Sequence, residues 1–153
     1  MIDPNLARWI KASVNLFFAQ ALAPTPVIVG NTGYTAAIKN KSSWIEVRVN
    51  GPRILPGAQL EIRAELEVSL LCSAVLTDDA YLIDRVVGLC QSAMLTIPIL
   101  KLGDGAGDDQ SNIGCMVLRD DVARPIDTIA WGQLDTNTDV TQSVVEGYYA
   151  VAL

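Results

Sequence analysis

The chain has 153 residues, of which 50% are apolar and 18% charged, with a mean hydropathy of +0.31; this is one domain's length with ample material for a core, and it excludes a disordered polymer. A net charge of −6 and a pI of about 4.5 exclude a surface that grips nucleic acid by neutralising phosphates. Histidine is absent, which removes the commonest general base and transition-metal ligand, and with them Ser-His-Asp, Cys-His and HExxH chemistry.

The N-terminal segment reads as a helix. Asp3 is placed to cap it and Pro4 to open it; Leu6, Trp9, Ile10, Val14, Phe17, Phe18 and Ala21 then fall on one face, and Pro24 ends it. The opposite face, with Arg8, Lys11 and Gln20, is too weakly basic for a membrane-surface helix, so packing on a sheet is expected. No apolar run approaches the ~20 residues that cross a bilayer, and "MIDPNLARWIK" lacks a signal-peptide basic segment. The expectation is a protein made in the cytosol without membrane contact.

Residues 23–43 mix Pro, Gly, Asn and Thr around Val27 to Val29, a long loop or a marginal strand. "WIEVRVNGP" alternates, with Ile45, Val47 and Val49 on one face, and predicts a strand that turns at Asn50-Gly51-Pro52. "LEIRAELEVSLLCSAVL" alternates again, with Leu60, Ile62, Ala64, Leu66, Val68, Leu70, Cys72, Ala74 and Leu76 on one side and Glu61, Arg63, Glu65 and Glu67 opening the other. At ~3.3 Å per residue it would span about 55 Å, so it bends or projects from the body. Thr77, Asp78 and Asp79 then look like the start of a helix from about Ala80 to Met94 that buries Leu82, Val86, Leu89, Cys90 and Ala93. "TIPILKL", "IGCMVLR", "IDTIAWGQL" and "VTQSVVEGYYAVAL" complete the chain as strands. This order predicts one α+β domain over residues 1–153: a mixed, mostly antiparallel twisted sheet, an N-terminal and a central helix on one face, and a long strand or hairpin.

Few residues offer chemistry. The loop "KLGDGAGDDQSNIGC" sets Asp104, Asp108 and Asp109 among glycines, but it lacks the distal Glu of an EF-hand and the Gly-Lys-Ser/Thr of a P-loop; Gly and Asp also dominate plain hairpin connections, and a turn without metal is expected. Cys72, Cys90 and Cys115 lie apart in apolar runs and read as reduced core residues. Asp78/Asp79, Asp120/Asp121 and Asp135/Asp139 have no partner base or nucleophile, and Glu146 and Tyr148 share a strand face suited to cross-strand packing, so no catalytic residue, cofactor or metal is expected. The apolar composition points to an oligomer, although a large core gives a similar average. Glu61, Glu65 and Glu67 have two readings: a solvated sheet face, or, in a ring of copies, an acidic bore past which DNA slides without sticking.

Taken together, "WIEVRVNGP", "LEIRAELEVSLLCSAV", "TDDAYLIDRVVG", "IPILKLGDGAGDDQSNIGC" and "WGQLDTNTDVTQSVVEGYYAVAL" resemble, over most of the chain, the tail terminator proteins of tailed bacteriophages and their tail-completion and neck relatives. The resemblance implies a structural virion protein, assembled in the host cytoplasm, that forms a homo-oligomeric ring, commonly of six copies, capping the tail tube and joining the tail to the head connector. It implies no enzymatic activity and no cofactor. The implied partners are other copies of the chain, the tail tube protein and the head-tail connector or stopper protein, with DNA passing through the lumen without sequence-specific binding; Glu61, Glu65 and Glu67 would face that lumen. Residues 23–43 match nothing in the family pattern. A head-tail adaptor, a tail tube subunit and a free-standing non-enzymatic binding domain remain alternatives.

Overall fold

The computed structural model describes residues 3–29, 40–54, 64–76, 79–133 and 139–153. Among these residues two helices, α1 (Leu6–Ala21) and α2 (Leu82–Ala93), cover one face of a seven-stranded sheet made of β1 (Val27–Val29), β2 (Ser43–Ile54), β3 (Ala64–Val75), β4 (Ile97–Leu100), β5 (Asn112–Leu118), β6 (Ile126–Gln133) and β7 (Val140–Ala152). The strand order is β1-β2-β3-β7-β5-β4, with β6 also on β7. The pair β1/β2 is parallel and all the others are antiparallel. The fold is the α+β arrangement that the element order implies.

The long central ladder is the spine. β3 pairs with β7 from Ala64↔Val151 to Val75↔Val140, and the alternating residues Ala64, Leu66, Val68, Leu70, Cys72 and Ala74 all enter the helix-covered core. Along β3 these six alternate with side chains of the other face, so burying them at about 25 cal/mol per Å² of apolar surface is what holds the register. Gly147 fits here for want of a side chain: a Cβ would stand 2.7 Å from Met94 Sδ and 2.9 Å from Tyr149 Cε2. Tyr149 is fully buried, and its hydroxyl donates to the Leu95 carbonyl at 2.8 Å.

The sheet curls around α1. This helix touches β4 at one end of the strand order and β1 and β2 at the other. It buries Leu6, Trp9, Ile10, Val14 and Phe18 between them, with Phe17 edge-on to Phe18 at 5.2 Å. The buried Ser13 does a strand's work on the edge of β4: its hydroxyl accepts from Leu100 N–H at 2.9 Å and donates to Leu100 C=O at 3.3 Å. Pro98, two residues earlier, has no N–H, as suits an edge strand. A further peculiarity is that β5 and β6 share one edge of β7. Tyr148 accepts from Arg119 N–H and donates to the Pro125 carbonyl, both at 2.9 Å, so the two are one interrupted strand with residues 120–124 looped out.

Several local expectations change. The first helix begins at Leu6, and Asp3 instead accepts the Asn5 N–H at 2.8 Å in a turn before it. Leu22, not Ala21, completes its buried face. Asn50-Gly51-Pro52 does not end a strand: β2 continues to Ile54 through a bulge at which Gly51 holds φ +118° and Gly51-Pro52 is cis. Gly51 supplies the positive φ that a bulge needs as readily as one that a turn needs. Val27 to Val29 is a strand because β2 offers it a parallel partner. The second helix starts at Leu82, with Leu82 and Leu89 only partly buried; Asp79 accepts the Tyr81 N–H at 3.0 Å and pairs with Arg85. Thr77 and Asp78 lie outside the described residues, as do 60–63 of the long strand. Leu76, expected in the core, is exposed.

Candidate interaction surface

The face of the sheet turned away from the helices divides into two parts. At one end Trp44, Ser73 and Gln142 form a buried row across β2, β3 and β7, with Gln142 Nε2 donating to Ser73 Oγ at 3.0 Å. Leu71 and Val144, paired across the next rung, are buried as well. This end is not the solvated surface that strict alternation suggests.

The other end carries charge. Glu65 and Glu67 project from β3 onto this face, while Glu61 lies outside the described residues. Glu65 pairs with Arg119 at 2.7 Å and Glu67 with Arg53 at 2.7 Å. Arg119 also holds Asp121 through two bonds of 2.9 Å, which keep that carboxyl below the usual range. On β7 the Tyr148 hydroxyl donates to Glu146 at 3.1 Å, and its phenol is pushed up by that bond first, then by desolvation and by the charges of Glu146, Glu67 and Asp127. Among the described residues, five carboxylates, on Glu65, Glu67, Asp121, Asp127 and Glu146, thus share the strip with the guanidiniums of Arg53, Arg119 and Arg48, the last of which pairs with a sixth carboxylate, Glu46, at 3.0 Å. The strip remains net negative. Solvent-screened pairs of this kind contribute little stability, so their main effect is to soften the local field.

Beside this strip runs β6. From Thr128 to Gln133 it is exposed throughout, with Ile129 at 43% and Trp131 at 56%, and among the described residues no strand pairs with its outer edge. A bulge between Ala130 and Gly132, where Gly132 has φ +76°, twists its far end. Isolated proteins usually guard an edge with lysine, proline, inward charge or a bulge; β6 has the bulge but carries no charge or proline between Thr128 and Gln133.

The glycine-rich loop has a structural task that the sequence pattern does not reveal. The Asp108 carboxylate, 1% exposed, accepts from Trp9 Nε1 at 2.6 Å, from Arg8 at 2.9 Å and from Gly105 N–H at 2.9 Å, and these bonds, the Trp9 one foremost, hold its carboxyl below the usual range. The loop is thereby clasped to α1, while Arg8 also donates to the Leu102 carbonyl and Lys101 lies over the Trp9 ring. Asp109 instead closes a local turn on Ser111, and Asp104 is exposed. Cys72 and Cys90 are buried as expected, but Cys115 on β5 is only half-buried.

No family model and no curated protein matches the chain. Among solved structures the chain is similar to one of 17% identity, covering 100% of this chain and 98% of that one, with a TM-score of 0.48.

Proposed function

We propose that the chain is a structural virion protein of a tailed bacteriophage, a tail terminator whose copies form a ring, six in number, that caps the tail tube and docks it to the head connector or stopper protein. The reading rests on the resemblance of its sequence segments to that family. The observation that carries the assembly step is the outer edge of β6, with which no strand pairs among the described residues and along which Ile129 and Trp131 are exposed. An edge of this kind suits strand addition between copies. The net negative strip around Glu65 and Glu67, with Glu61, faces the lumen in this reading and repels the passing DNA.

Sedimentation of the purified chain, alone and with tail tubes, tests the proposal, with electron microscopy to locate the rings. Rings at the head-proximal end of the tail are expected, and changing Ile129→Arg together with Trp131→Arg should abolish them while leaving the monomer folded. A strict monomer under both conditions refutes the ring, and rings in another layer of the tail make the chain a tube or adaptor subunit.

A further inference from the structure

The pair Cys72 and Cys90 joins the two elements that sandwich the core. Cys72 lies on β3, the centre of the sheet, and Cys90 on α2; both are 0% exposed, and their sulfurs stand 3.5 Å apart as free thiols. Neither sulfur meets a metal-ligating partner, since among the described residues no group of three His, Cys, Asp or Glu is placed to hold an ion. The contact is a thiol–thiol hydrogen bond, which together with burial pushes the Cys90 thiol up and disfavours its reactive thiolate while α2 is seated.

We propose that Cys72 and Cys90 form a redox-gated pin: reduced, they leave α2 free to lift from the sheet, and oxidised, they tie α2 covalently to β3. The inference does not depend on ring assembly. A disulfide needs the sulfurs at about 2.05 Å, so a shift of roughly 1.5 Å between helix and strand closes the bond. The helix is the more lightly anchored of the two. It buries only Val86, Cys90 and Ala93 fully, against six residues on α1, and its outer side is tied to the sheet by the Gln91–Thr128 bond at the edge strand. Elements with few buried contacts open most readily, and opening is what admits an oxidant to sulfurs that are otherwise sealed.

With hydrogen peroxide as oxidant the chemistry balances in two steps. One thiolate attacks a peroxide oxygen, the O–O bond breaks, and the departing hydroxide takes the released proton as water, leaving a sulfenic acid. The second thiol attacks that sulfur, the S–O bond breaks, and a second water leaves with its proton, so that two thiols and one peroxide give one disulfide and two waters.

The test treats the full-length chain with hydrogen peroxide or with dithiothreitol and maps the cysteines by alkylation and mass spectrometry, alongside melting curves. The bond spans 18 positions of sequence, so linkage should raise Tm by roughly 6–12 °C, reversibly with dithiothreitol. Cys115→Ser should respond like the parent, and Cys72→Ser or Cys90→Ser should show no rise. Oxidation should also accelerate in sub-denaturing urea, as local opening does. The proposal is overturned if both thiols stay alkylatable after peroxide even in urea, if Cys115 takes either one as its partner, or if the linked protein melts no higher than the reduced one.

Discussion

Ser13 gives the sharpest test of how the curled sheet is closed. Replacing it by Ala removes the acceptor for Leu100 N–H and the 3.3 Å donor to Leu100 C=O, in a site where Ser13 is 3% exposed. The two losses are unequal. The carbonyl retains the Leu102 N–H at 2.9 Å, whereas the described bonds offer the amide no substitute. A stranded buried amide costs about 1–3 kcal/mol, and the better helix propensity of Ala offsets about 0.5 kcal/mol of that. Ser13→Ala should therefore destabilise by about 1–2 kcal/mol in urea unfolding with an unchanged m value, and the Leu100 amide should exchange with solvent at least several-fold faster than in the parent. Ser13→Thr retains the hydroxyl and should preserve the Leu100 protection whatever its packing cost. If the Ala variant is as stable as the parent and Leu100 exchanges at its parental rate, the hydroxyl does not close the β4 edge and apolar contact with α1 suffices.

Two further outcomes bear on the charged groups. The Asp108 carboxyl lies below its ordinary 3.8 in the folded state, so the stability it contributes is present in full above that value and is lost as pH falls through the lowered folded value. Asp108→Asn should thus lower Tm at neutral pH and flatten the loss of Tm on acidification, and two parallel Tm profiles between pH 2 and 7 would exclude the clasp. For the proposed lumen, changing Glu61, Glu65 and Glu67 together to Lys moves six charge units per subunit, beyond what screening at a Debye length of about 8 Å hides in a ring bore. Rings of that variant should retain DNA at moderate salt and release it steeply as salt rises; binding no stronger than the parent's would remove these residues from the DNA path.

Periodicity revealed the spine of the fold because burial itself is periodic there: Ala64 through Ala74 alternate in sequence and alternate in the core. The opposite face was less legible, since Trp44, Ser73 and Gln142 are buried there although no apolar repeat in their own strands marks them. Asn50-Gly51-Pro52 misled for a physical reason, as turns and bulges ask for the same backbone freedom. The loop at Asp108 hid its role because Arg8 and Trp9 lie 100 and 99 positions away. Likewise the partners of Glu65 and Glu67 are guanidiniums that only strand pairing brings near, so a run of acids looked more uniformly negative than the surface it forms.

The interrupted strand formed by β5 and β6 separates register from length. Because the Tyr148 carbonyl is bonded by Arg119 and its N–H by Pro125, the spacing of the two halves along β7 is set by that single residue, and the chain between them can leave the sheet and return. Residues can be added to or removed from 120–124 without sliding either half, at a closure cost that grows only by about 0.6 kcal/mol per doubling of length. The site is therefore a natural port in the scaffold: a peptide or small domain inserted after Asp121 would be displayed beside the charged strip while every rung of the ladder keeps its partner.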